Sequence, residues 1–225
     1  MSRISVVIPA AGAGKRMKSY GPKPLIKVGN STIINTQIAT IKSHIPNSDI
    51  VLVCGFKAEK LMEETPDNII KIENECYEDT NVVRSIGMGL RASGNSPIVL
   101  VVYGDLVFNA EAISGLIFDS SCVIIDQETM ADEEVGCIVG QDGSLQNIMY
   151  DLPNKWGQIA VFVGKELSML KRLCWDKKNY KKFGFEVINS IIDKGGHFKC
   201  IQDEAIKVID IDNSKDIKRA SKVLL

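Results

Sequence analysis

The sequence predicts an α/β fold, with a mixed, mainly parallel central sheet covered by helices. Three observations predict it. Apolar runs at residues 4–8, 50–54 and 98–103 are short and continuous, as strands buried on both faces should be. Helical periodicity fills the gaps between them. The resulting order β-α-β-α-β calls for right-handed crossovers between parallel strands.

The first run, "ISVVI", stops at Pro9. In "STIINTQIATIKSHI", Ile33, Ile34, Ile38, Ile41 and Ile45 fall on one helical face, with Asn30 or Ser31 expected as the N-cap. After the strand at 50–54, a second helix is predicted from Val82 to about Ala92. Asn81 caps it, and Val82, Val83, Ile86 and Leu90 face inward. The third strand, 98–103, follows. From about residue 121 the texture changes to short strands at 121–125, 134–139, 145–149 and 158–163, joined by turn signals such as "QDGS". Helical patterns return at 165–174 and 184–194. A strand "AIKVIDI" and a capped helix "NSKDIKRASKVLL" follow. The expectation is one domain over 1–225, with a strand-rich lobe at about 121–165 where a second substrate would bind.

Composition excludes several function classes. Lys+Arg number 27 against 28 Asp+Glu, so no global basic field is available for nucleic acid, and any phosphate must be held by local charges. No apolar run approaches the roughly 18 residues of a membrane span. One early Arg followed directly by a strand lacks signal-peptide architecture, so a cytoplasmic protein is expected. The six cysteines are scattered singly, which suits reduced, buried thiols, and His44 and His197 lie far apart without ligand-like companions. Nothing argues for a transition metal.

The chemistry concentrates after the first strand, in "PAAGAGKRM". Side-chain-poor backbone followed by two cations, Lys15 and Arg16, can bring amide N–H groups and positive charge to phosphates. A Walker A loop fails twice: Gly14-Lys15 is followed by Arg16, and the required earlier Gly is Pro9. A dinucleotide fingerprint finds Gly12 and Gly14, but Met17 holds the third position. The stretch "AAGAGKRMKSYGPKPLIKVGNSTII" resembles the signature of the nucleoside-triphosphate transferase family, A-A-G-x-G-x-R-[ML] followed by P-K-[PA]-L. The resemblance implies a Rossmann-like, three-layer nucleotidyltransferase (GT-A-like) fold. On this reading Ala10, Ala11, Gly12, Ala13 and Gly14 wrap the nucleotide, and Lys15 and Arg16 stabilise the leaving pyrophosphate. Lys23, held between Pro22 and Pro24, meets the charge that builds on the α-phosphate.

Such transfer also needs Mg²⁺, which takes one or two carboxylates plus phosphate oxygens. The strand "IVLVVYGDLVF" ends at Gly104-Asp105, and ligands bind at the carboxyl ends of parallel strands. The family has G-D here, with the Asp holding metal, which implies that role for Asp105. "VIDIDNSKDIKRA" looks like the family's E-I-D-x-x-E-D-L-x-x-A ending, and so implies Asp212 as the second metal ligand and Asp210 as the preceding acid. Asp210 for Glu, Ser214 for Pro and Lys215 for Glu are departures. Read alone, Asp212 is a helix-start acid favoured by the macrodipole.

"NECYEDTNVVRSIGMGL" is similar to a segment of the phosphocholine cytidylyltransferase-like group, which makes CDP-linked head groups for cell-surface glycans. That likeness implies CTP as donor, with Asn81 and Ser85 near the base; Asn81 serves as an N-cap in either case. For the acceptor, Tyr150, Asp151 and Trp156 could face a trimethylammonium group while Lys155 meets its phosphate, although residues in such a segment are more often packing and surface. Phosphonates, glycerol or amino-alcohol phosphates and phosphorylated amino-acid amides stay open as acceptors. A phosphate oxygen is already ionised at neutral pH, so no general base is expected. A sugar-1-phosphate uridylyl- or thymidylyltransferase is the nearest rival. An NAD(P)-dependent oxidoreductase and a non-catalytic nucleotide-binding protein are rivals of other classes. A homodimer is expected only from family habit.

Overall fold

Val6, Val7 and Ile8 have no solvent exposure at all, although they are consecutive. Alternate side chains of a strand point to opposite faces, so consecutive burial requires cover on both. The computed structural model, which describes residues 2–14, 21–127 and 134–223, supplies that cover. Among the described residues the elements are β1 (Ile4–Pro9), β2 (Lys27–Val28), β3 (Ser31–Thr32), α1 (Ile33–His44), β4 (Asp49–Cys54), α2 (Ala58–Glu63), β5 (Ile70–Glu73), α3 (Val82–Ala92), β6 (Ile98–Val102), β7 (Leu106–Phe108), α4 (Glu111–Ser114), β8 (Cys122–Asp126), β9 (Val135–Val139), β10 (Leu145–Tyr150), β11 (Asn154–Val163), α5 (Gly164–Trp175), α6 (Gly184–Ile192), β12 (Lys199–Gln202), β13 (Val208–Asp210) and α7 (Ser214–Val223).

The central sheet runs β10-β9-β11-β6-β1-β4-β5, with β8 on β11 and β12 on β8. β6, β1, β4 and β5 pair in parallel; β11 runs antiparallel to β6, β8 and β9. This is the mixed, mainly parallel sheet that the sequence predicted. Val6 and Ile8 pack with Ile34, Ile38 and Ile41 of α1 and Leu61 of α2. On the opposite face Val7, Val51 and Val53 meet Val83, Ile86 and Leu90 of α3, Leu167 and Leu170 of α5, and Ile188 of α6. Three layers result, and the strand-rich stretch after residue 121 joins the same sheet through β11.

The structure differs from the expected elements in instructive places. The cap of α1 is Thr32, whose Oγ1 accepts from the Asn35 amide at 3.3 Å, rather than Asn30 or Ser31. Those two residues belong to a tight β2–β3 hairpin, turned at Gly29 (φ 64°), so the helix starts where the hairpin ends. β11 begins at Asn154, not at 158. Its register shifts between Trp156 and Ala160, and Gln158 has φ 55°, so only the part beyond the irregularity reads as a regular apolar strand. Asn81 caps α3 as expected, its Oδ1 accepting from the Val82 amide at 2.8 Å.

Candidate active site

Asp105 is placed by close backbone approach. The Gly104 amide donates to the Pro9 carbonyl at 3.1 Å, and a Cβ on Gly104 would lie 2.7 Å from the Ala10 Cβ. Only glycine lets the chain leaving β6 lie against the chain leaving β1. β13 then brings the late acids to the same point. It pairs antiparallel with β7, Asp210 opposite Leu106, and the Ile211 amide donates to the Asp105 carbonyl at 3.1 Å. Asp212 is held by the first turn of α7: the Asp216 carboxylate accepts from the amides of Asp212 (2.9 Å) and Asn213 (2.8 Å). Asn213 in turn accepts from the Lys215 amide, so the two side chains cap the helix reciprocally.

Lys23 closes the group. A 3-10 turn at Lys23–Leu25, entered from Pro22, points its ammonium 3.2 Å from Asp105 Oδ2 and 2.6 Å from Asp212 Oδ1. Its stem packs on Gly14, which adopts φ 54° and where a Cβ would lie 2.8 Å from Lys23 Cγ. Burial alone would lower the Lys23 pKa. The carboxylates of Asp105, Asp210 and Asp212 outweigh that and hold it above the ordinary lysine value, so Lys23 stays charged at neutral pH. Asp210 is pushed the other way. Burial first, then the charge of Asp105, lift its carboxyl to about 8 against the pull of Lys23. Gln158 donates to Asp210 Oδ2 at 3.1 Å, while the buried Oδ1 has no hydrogen-bond partner.

These groups line one cleft of about 780 Å³ at the carboxyl edge of the parallel strands. Ala10, Ala11, Gly12, Gly14, Lys23, Asp105, Asp210 and Asp212 all reach it. Asn81 and Ser85 stand on a further wall with Asn74, whose amide donates to Ser85 Oγ at 3.2 Å. Ala13 is half-buried and does not line the cleft. Lys15 and Arg16 lie outside the described residues.

The residues expected near an acceptor also reach the cleft, in unequal ways. Tyr150 is 41% exposed and stands edge-on to Phe185, ring centroids 5.7 Å apart. Asp151 turns the chain with φ 61°. Trp156 is buried against Tyr103 at 5.9 Å. Lys155 departs most from expectation. It is buried, and its ammonium is held by the Val208 carbonyl (2.9 Å) and Glu134 (3.1 Å), so protein partners already take the charge assigned to an acceptor phosphate.

Sequence reasoning missed Phe183 and Phe185, which stack in the cleft at 5.5 Å and 8°, and the Gln158 contact to Asp210. A lone Gln inside the apolar run "KWGQIAVFV" was the available signal for the latter. Arg219 and Asp216 of α7 also line the cleft, brought there by the docking of that helix.

No described group of three or more His, Cys, Asp or Glu side chains is placed to hold a metal. The donor set nonetheless fits Mg²⁺ in its usual mode of one or two carboxylates completed by phosphate oxygens. Asp105 and Asp212 converge on one cation, Lys23 Nζ, and a third, incompletely paired acid, Asp210, stands behind them.

Two acids and a part-buried cation at the carboxyl edge of a parallel sheet, facing a small-residue loop, define a protein built to handle nucleoside triphosphates. The chain belongs to the MobA-like NTP transferase domain family, which it matches over residues 6–178. It is 32% identical over 101 residues to the 2-C-methyl-D-erythritol 4-phosphate cytidylyltransferase of Colwellia psychrerythraea, covering 43% of this chain and 40% of that one. The chain spans less than half the length of that relative. Its fold is similar to CTP:phosphocholine cytidylyltransferase (LicC) from Streptococcus pneumoniae (TM-score 0.78, 18% identity, 98% of this chain and 99% of that one). It is equally similar to a putative glucose-1-phosphate thymidylyltransferase from Bacillus anthracis (TM-score 0.79, 14% identity, 98% and 94%). At such identities the likeness is one of fold.

Proposed function

We propose that this chain is a Mg²⁺-dependent cytidylyltransferase that transfers CMP from CTP to a small phosphorylated or phosphonate acceptor in the cytoplasm, releasing pyrophosphate, for decoration of cell-surface glycans or capsule. The observation that carries it is the convergence of Asp105, Asp212 and Lys23 beside the loop at residues 10–14. An oxygen of the acceptor bonds to the α-phosphorus of the triphosphate as the bond from that phosphorus to the pyrophosphate oxygen breaks. Asp105 and Asp212 would hold Mg²⁺, which supplies charge neutralisation at the α-phosphate. Lys23 opposes the charge that develops there, and Lys15 and Arg16 are assigned to the leaving pyrophosphate. The small residues from Ala10 to Gly14 let backbone approach the nucleotide. Asn81 and Ser85, beside Asn74, offer short polar side chains to a cytosine edge. An acceptor that is already an oxyanion needs no base.

Two features support an acceptor with a cationic or apolar head. Tyr150, Phe183 and Phe185 present aromatic surface to the cleft, and Asp151 adds negative charge beside it. That suits an amino-alcohol phosphate such as phosphocholine better than a polyhydroxylated sugar. The test is pyrophosphate release with Mg²⁺, the four ribonucleoside triphosphates and dTTP, against phosphocholine, 2-aminoethylphosphonate, phosphoglutamine, glycerol phosphate and hexose 1-phosphates. Release with CTP and a non-sugar acceptor is expected. Release only with UTP or dTTP and a hexose 1-phosphate would keep the transferase and overturn the cytidylyl reading.

A further inference from the structure

β13 is three residues long, yet it carries Asp210 and leads straight into Asp212. Its pairing with β7 uses one edge only. The Asn109 amide donates to the Lys207 carbonyl and the Ile211 amide donates to the Asp105 carbonyl, so residues 207 and 211 point their backbone groups toward β7. By strand alternation, Val208 points its own N–H and C=O the opposite way. Among the described residues no strand lies there to receive them. Instead the Val208 amide donates to Asp126 Oδ2 at 2.9 Å, and the Val208 carbonyl accepts from Lys155 Nζ at 2.9 Å.

Asp126 and Lys155 are direct cross-strand partners on β8 and β11, and their charged atoms lie 4.0 Å apart. Their side chains are 0% and 5% exposed. Burying such a pair costs more desolvation than a matched apolar pair would, so stability alone is a poor reason for it. A backbone donor and a backbone acceptor side by side at a sheet edge do need a matched acceptor and donor.

We infer that Asp126 and Lys155 are positioning residues: a two-pronged clamp on Val208 that holds β13 at the main sheet and thereby sets Asp212 against Asp105. The inference rests on the reading of Asp105 and Asp212 as metal ligands. It assigns Lys155 to the protein side of the site, behind the acids, rather than to an acceptor phosphate. Asp126 acts as a hydrogen-bond acceptor, so a neutral acceptor of the same shape should serve almost as well.

The test is Mn²⁺ binding to the full chain with CTP present to supply the phosphate oxygens, followed by the electron-spin-resonance signal of Mn²⁺ against a protein-free Mn²⁺–CTP control, which needs no acceptor and no turnover. Wild type should bind Mn²⁺ and D212N should not. Outer-shell partners of metal ligands are worth about 10–100-fold in metal affinity, so K155M and D126L should each weaken binding by at least about 10-fold. D126N, which keeps an oxygen for the Val208 amide, should stay within about 3-fold of wild type on the same scale. If K155M fails to fold, the contrast between D126L and D126N still decides. Wild-type affinity in both K155M and D126L would overturn the clamp while leaving the metal reading intact; that is also the result expected if Lys155 held an acceptor phosphate. Equal binding by wild type and D212N would remove the metal reading and the clamp with it.

Discussion

Lys23 is the residue on which the site's charges balance. Its ammonium touches two carboxylates and feels a third, which is why its pKa rises despite burial. Removing it takes away the cation proposed to oppose charge on the α-phosphate and leaves Asp105, Asp210 and Asp212 facing one another. Loss of a single preorganised charge-stabilising group typically costs about 10²–10³ in turnover. Lys23→Ala should therefore lower pyrophosphate release by at least that range, with a cooperative thermal melt retained. Near-normal turnover in Lys23→Ala would refute its assigned role. Asp105→Asn, which keeps the shape and removes the charge, should lose activity by a similar factor (about 10²) and require more Mg²⁺ for what remains. Asp105 and Lys23 were legible in the chain because each sits in a local pattern, G-D after an apolar run and P-K-P. Phe183 was not, because an exposed aromatic in "KKFGFE" gains meaning only when Tyr150 and Phe185 stand beside it.

At the scale of elements, the site depends on chain segments meeting end to end. The loop after β6 crosses the loop after β1 at Gly104, with no room for a side chain between them. Gly104→Ala should cost about 1–3 kcal/mol by overpacking against Ala10. Because the residue that must shift is bonded to Asp105, it should lower activity beyond what the fall in thermal midpoint accounts for. Comparing turnover well below both melting transitions checks this, and equal turnover there would separate the glycine from the site. The long amphipathic elements were readable from periodicity alone: α3 runs from Val82 to Ala92 as predicted. The short ones, β2, β3 and β7 among them, carry too few residues for any period to emerge, and pairing defines them, whereas β13 lies inside the strand predicted in "AIKVIDI".

Over the whole molecule, the sheet is buried on both faces, and four of the six cysteines go with it. Burial pushes the thiols of Cys54 and Cys137 up to about 12, those of Cys122 and Cys200 to about 11, and that of Cys174 higher still. The thiolate is the reactive form, so a raised pKa and lost access act in the same direction. A disulfide reagent at neutral pH should modify Cys76, the exposed thiol, at once and the half-buried Cys200 slowly. The remaining four should react only on unfolding. Rapid native reaction of more than two thiols would contradict the burial pattern. No described helix is long and apolar enough to cross a membrane.

Local sequence by itself determined where the main strands and long helices lie and where the apolar runs of β1 and β6 end, at Pro9 and before Gly104. Those properties follow from periodicity, from glycine's freedom and from proline's restraint, all of which act within a few residues. Asp210 and Asp212 came from likeness to a family ending, since an acid before a helix is ordinary taken alone. Only the tertiary structure decided that Lys23, Asp105 and Asp212, as many as 189 residues apart, share one hydrogen-bonded group. It also decided that Lys155 and Asp126 grip the backbone of Val208. The physical reason is that a buried charge takes its partner from whatever the packing brings near, and no local pattern encodes which strand edge that will be.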